Sequence, residues 1–120
     1  MDIVGIADEL AARGIIVTSV VSGDAGCDDP DMIGAAIGFD AAGLDQPTPT
    51  RVRLYIFRNR SAYEKQRRAV DACAASWVTD PATFEAIDVS PYVAAGQGPW
   101  GAQLKAAMRA ALTAAAGTGG

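Results

Sequence analysis

Arg51-Val52-Arg53-Leu54-Tyr55-Ile56-Phe57 alternates aliphatic with arginine or aromatic side chains over seven consecutive positions. That is the period of a β-strand, with Val52, Leu54 and Ile56 on one face and Arg51, Arg53, Tyr55 and Phe57 on the other. Just downstream the period changes. Ser61-Ala62-Tyr63-Glu64 has the form of a capping box. Tyr63, Arg67, Val70, Cys73 or Ala74, and Trp77 then recur at helical spacing, which predicts a helix to about Ser76 with Cys73 pointing inward.

Upstream, Asp45-Gln46-Pro47-Thr48-Pro49-Thr50 is a break. Before it, Ile33, Ala35, Ile37 and Phe39 alternate with Gly34, Ala36, Gly38 and Asp40. This predicts a strand over 33–42, paired antiparallel with Arg51–Phe57 across the proline loop, full or bulged according to how its glycines sit. Ile15 to Val21 reads as an earlier strand closed by Ser22-Gly23. Ile3, Ile6, Ala7, Leu10 and Ala11 share the face of a first helix, with Asp2 as cap and Gly14 beyond its end. Downstream of the middle helix, Thr79-Asp80-Pro81 is a turn. Phe84 to Val89 is a fourth strand, interrupted by Ser90-Pro91 and resumed through Tyr92-Val93-Ala94. Pro99 suits the first turn of a last helix. Trp100, Leu104, Met108, Ala111 or Leu112, and Ala115 form its buried stripe.

The expected architecture is α+β: a four-stranded antiparallel sheet with three helices, in the order α-β-β-β-α-β-α, helices mainly on one face. It forms a single domain over 1–116, followed by a flexible tail over 117–120.

The 120 residues carry a net charge of −4 that conceals strong segregation. Residues 1–50 hold nine acids against Arg13 alone, whereas 51–68 hold seven bases (Arg51, Arg53, Arg58, Arg60, Lys65, Arg67, Arg68) against Glu64. Such a block can mark a nucleic-acid site, or it can face the acidic half of its own domain. The acidic overall balance disfavours nucleic acid. Arginine-rich basic usage with abundant Ala, Gly and Pro follows GC-rich codons and suggests a bacterial source. No apolar run approaches the roughly 20 residues needed to span a bilayer.

The chain has no histidine, which removes His-dependent triads and His-containing zinc sites. Its two cysteines are too few for a cysteine-only zinc or iron–sulfur site. Cys27 lies among Asp24, Asp28, Asp29 and Asp31, which oppose a thiolate, and Cys73 is near a helix C-terminus, which does the same. Both contexts argue against catalysis and for a Cys27–Cys73 disulfide. Such a bridge places the chain in an oxidising compartment, secreted or surface-anchored with its leader removed; the alternative is a cytoplasmic chain. The aspartates around Cys27 fail the EF-hand spacing, with Gly26 at position three and Ala35 at position twelve when counted from Asp24. Neither a metal nor a cofactor is expected.

Candidate binding residues are Arg51, Arg53, Tyr55, Asp88, Tyr92, Gln97 and Trp100. The first three share a strand face, and the others lie at or near the Gly96–Trp100 loop and the strand before it. Gly96-Gln97-Gly98-Pro99-Trp100-Gly101 resembles an anion approach to a helix but lacks the P-loop ending. The expected function is a non-enzymatic binding or interaction module of an exported bacterial protein, whose partner is a protein or small molecule. The alternative is a ligand-binding or enzymatic domain with a pocket between sheet and last helix, using Asp88 or Tyr92. Nucleic-acid binding through Arg51–Arg68 ranks third.

Overall fold

The computed structural model describes residues 3–118. The chain runs α1 (Ile3–Ala12), β1 (Ile16–Ser22), α2 (Pro30–Ala35), β2 (Ala36–Gly43), β3 (Gln46–Ile56), α3 (Arg60–Ala74), a 3-10 turn (Pro81–Thr83), β4 (Phe84–Val89), β5 (Tyr92–Gln97) and α4 (Ala102–Thr118). Asp2, expected to cap α1, lies outside the described residues, as do Gly119 and Gly120 of the expected tail. All strand pairs are antiparallel, and the sheet order is β1-β2-β3-β5-β4.

Three features of the expected fold are corrected. The sheet has five strands rather than four, because Ser90-Pro91 turns the chain instead of interrupting one strand. Val89 pairs with Tyr92 across a cis Ser90–Pro91 peptide, making β4 and β5 a hairpin. There are four α-helices rather than three. Asp29 caps α2, its side chain accepting from the Asp31 amide at 3.0 Å, and Pro30 opens the helix. Met32 is fully buried beneath it, so 30–35 is helix and the strand starts only at Ala36.

The third correction concerns the layers, since helices cover both faces of the sheet. Val52 and Leu54 of β3 enter a cluster with Ile6 and Leu10 of α1 and Leu104, Met108 and Leu112 of α4. Tyr55 and Phe57 enter a second cluster with Met32 of α2 and Val70 and Cys73 of α3. β3 alternates as the sequence implies, but both of its faces are core. Burying a leucine or phenylalanine side chain contributes about 1.5–3 kcal/mol, so neither face of β3 is dispensable. The uninterrupted apolar run Tyr92-Val93-Ala94-Ala95 in β5 carries the same message, because a strand covered on both faces loses its polar alternation.

Helix α4 begins against the β2–β3 hairpin. The Asp45 carboxylate accepts from the Gln103 and Leu104 amides at 2.9 and 3.0 Å, and Gln46 Oε1 accepts from the Gly101 amide at 3.0 Å. Three orphan donors of the helix start are thus satisfied by side chains more than fifty residues away. Gly101 permits the approach, because a Cβ there would lie 2.2 Å from Asp45 Oδ1.

The amides of Gln103 and then Leu104 hold the Asp45 carboxyl below its ordinary pKa of 3.8, against a smaller opposing effect of desolvation. A depressed folded-state pKa means the stabilisation is complete above pH 3.8 and is lost as pH falls below it, toward the folded value. Asp45→Asn is expected to flatten the acid limb of a melting-temperature profile between about pH 4 and pH 2. A profile parallel to wild type over that window would refute the capping role.

The cysteines form the Cys27–Cys73 disulfide, with Cα atoms 5.2 Å apart and a sequence separation of 46. Closing a loop of that length contributes about 4 kcal/mol in the chain-entropy model. Cys27→Ser/Cys73→Ser is therefore expected to unfold at lower denaturant by about 3–4 kcal/mol, measured by urea titration with the fold checked by circular dichroism.

Candidate functional site

The segment between β1 and α2 is a strap laid across the α3 side of the sheet. Gly23 and Gly26 both take φ +80°, which turns the chain down onto β3. Ala25 is buried, and its carbonyl accepts from the Tyr55 hydroxyl at 2.8 Å. Gly26 passes directly over an indole, since a Cβ there would lie 2.1 Å from Trp77 Cδ1. The disulfide then fastens Cys27 to α3.

Asp24 makes the strap's electrostatic contact. Its Oδ2 accepts from Arg51 Nε and Nη2 at 3.1 and 2.9 Å, and its Oδ1 accepts from Arg53 Nε at 3.2 Å. Arg51 Nη1 also donates to Asp40 Oδ1 at 3.2 Å and to the Ser19 carbonyl at 2.9 Å. The Arg53 guanidinium lies 4.8 Å from the Trp77 ring centre, and Trp77 packs on Phe84 at 5.9 Å. Desolvation pushes the Tyr55 phenol pKa up, offset in part by Trp77 and Arg53. Trp77 Nε1 is close enough to affect that phenol but is buried without a well-formed hydrogen bond.

At the C-terminal end of α3 the same layer opens into a groove of about 460 Å³, lined by Asp71, Ala74, Ala75, Val78, Pro81 and Phe84. Its lining is mostly apolar, with Asp71 as the charged group. Gln97 holds one wall. Its Oε1 accepts from the Thr79 and Asp80 amides, both at 2.9 Å, and its Nε2 donates to Thr83 Oγ1 at 2.7 Å and to the Gly98 carbonyl at 3.0 Å. That arrangement fixes the 3-10 turn carrying Pro81.

The candidate residues of the sequence are therefore not gathered in one place. Arg51, Arg53 and Tyr55 lie together under the strap. Asp88 lies farther along the α3 side, accepting from Arg67 Nε at 2.6 Å and Tyr63 Oη at 3.0 Å. Arg67 also donates to Asp71 at 2.9 Å. These bonds outweigh desolvation and hold the Arg67 pKa above its ordinary value. Tyr92 and Trp100 sit in the α1/α4 cluster, where Trp100 Nε1 donates to Thr50 Oγ1 at 3.1 Å. Burial raises the Tyr92 pKa. Gly98–Pro99 is a cis peptide, and Glu85 Oε2 accepts from the Trp100 amide at 3.1 Å.

The basic block divides. Arg51, Arg53 and Arg67 form partly buried ion pairs inside the domain, consistent with the segregated charge being internally matched rather than aimed at nucleic acid. Arg58, Arg60, Lys65 and Arg68 are exposed on or beside α3. Among the described residues no cluster of three or more Asp, Glu, Cys or His converges to hold a metal ion, and no helix is long and apolar enough to cross a membrane.

The groove residues were missed in the sequence. Their only signal is Val78 and Phe84 flanking Asp80-Pro81, a turn between apolar positions. Comparison with protein-family models, with curated proteins and with solved structures gives no match.

Removing the strap's carboxylate takes the Asp24 ion pair from Arg53 and leaves Arg51 with Asp40. Asp24→Ala is expected to destabilise the fold by about 2 kcal/mol, less than a fully buried pair because Asp24 is partly solvated. The double variant Asp24→Ala/Arg51→Met should lose less than the sum of the single changes, read by urea unfolding in a double-mutant cycle.

Proposed function

We propose that this chain is a non-enzymatic binding module of an exported bacterial protein, and that the groove beside α3 is its contact site. The observation that carries the reading is the groove itself: an open, mostly apolar recess of about 460 Å³ with Asp71 at its edge. Its walls are fixed rather than loose, one by the Gln97 hydrogen bonds and the neighbouring α3 layer by the disulfide. Asp88, the acid with the best claim to chemistry, is engaged by Arg67 and Tyr63, which favours a structural role for it. Export is supported by the Cys27–Cys73 bridge, since such crosslinks persist in oxidising compartments.

The neutral apolar dye N-phenyl-1-naphthylamine serves as a probe. Wild-type protein is expected to enhance its fluorescence saturably, and Ala75→Trp, which fills the groove from an exposed position, should abolish the enhancement without lowering the melting temperature. Equal enhancement by both proteins, or none by wild type, would count against the groove.

A further inference from the structure

We infer that β1 is the interface through which two copies of this chain pair, edge to edge, into one continuous ten-stranded sheet. The first observation is where the exposed apolar side chains lie. Six large ones are strongly exposed among the described residues: Val4, Ile16, Val20, Val21, Ile33 and Leu44. All but Val4 follow the β1 edge. Ile16, Val20 and Val21 belong to the strand, Leu44 abuts Gly14 just before it, and Ile33 abuts Gly23 just after it.

The second observation is the chemistry of the edge. Ile16-Val17-Thr18-Ser19-Val20-Val21-Ser22 has no charge and no proline, two of the devices that normally stop an edge from pairing; of the others it has a bulge, at Ser19–Val20. The opposite edge, β4, carries Glu85 and Asp88. The two edges of one sheet are thus treated differently, and only β1 is free of charged side chains.

The third observation identifies the occupant, because the strand is complementary to itself. Thr18 opposes Asp40 and Val21 opposes Gly38, so Ser19 and Val20 together oppose Phe39 in a bulge, with Ser19 at φ 54°. The bulge shifts the alternation by one. Ile16, Thr18 and Val21 consequently share one face, while Val17 and Val20 share the other. An antiparallel two-fold pairing centred on Thr18 then sets Ile16 against Val21 of the second copy, Val17 against Val20, and Thr18 against itself. Each pair shares a face and none brings like charges together. The same rotation carries the Leu44 end of the edge toward the Ile33 end of the other copy. The bulged Ser19 carbonyl needs no partner in the new ladder, because Arg51 Nη1 already donates to it.

Sedimentation equilibrium under non-reducing conditions tests this. The weight-average mass should rise with concentration from 12.3 kDa toward twice that value. Val20→Lys and Ile16→Lys, both at exposed sites, should each raise the dimer dissociation constant by about tenfold or more, whereas Val4→Lys on α1 should not. Thr18→Cys should cross-link between copies on mild oxidation much faster than Ser22→Cys, an assay that does not depend on charged variants folding. A mass fixed at 12.3 kDa, a dimer indifferent to both strand variants, or equal cross-linking at the two cysteine positions would each overturn the inference.

Discussion

Burial of β3 on both of its faces is the constraint from which the rest follows. One face supplies Val52 and Leu54 to the α1/α4 layer, the other supplies Tyr55 and Phe57 to the α2/α3 layer. The strand is also central in the lateral direction, with β2 and β5 flanking it and β1 and β4 at the margins. Arg51 and Arg53 lie on the α3 face of the same strand, where the Arg53 guanidinium sits over the Trp77 ring. They need acids brought to them, and the strap with Asp24 is what the chain brings. The disulfide then ties that strap to α3, so the electrostatic and covalent contacts hold the same short segment.

Much of this was legible in the sequence wherever the signal was local. The alternation of Arg51–Phe57 and the stripe Trp100–Ala115 needed no knowledge of distant residues, and the pairing of the two cysteines followed from their number and surroundings. The errors arose where a local signal had two meanings. Ser90-Pro91 reads equally as a break within a strand or as the turn of a hairpin, and only the register between Val89 and Tyr92 separates them. Asp29-Pro30 is a sound helix start, but the alternating Ile33–Phe39 pattern beyond it masked a helix of six residues. The two-layer expectation failed for a different reason. Small side chains such as Ala94 and Ala95 give a weak hydrophobic signal, yet they are buried in a strand covered on both sides.

Of the candidate site, the sequence found residues whose polar groups the fold uses internally. Arg51 and Arg53 stand out on a strand face, Asp88 on the strand before the Gly96–Trp100 loop and Gln97 within that loop, and polar residues of this kind are usually satisfied by neighbours once the chain folds. The groove is built from the opposite kind of residue. Ala75, Val78 and Pro81 are unremarkable singly and acquire meaning only through the space left between α3 and the 3-10 turn. Gln97 connects the two sets, since its side chain holds the wall that shapes that space.

The cap on α4 also bears on how the chain assembles. Its donors lie in the C-terminal helix, while its acceptors, Asp45 and Gln46, lie at the β2–β3 hairpin. A chain made from its N-terminus completes that hairpin before the helix exists. The start of the helix is therefore held by partners outside it, which offsets part of the nucleation cost that limits isolated helices. The turn thus acts as a template that sets where the last element begins.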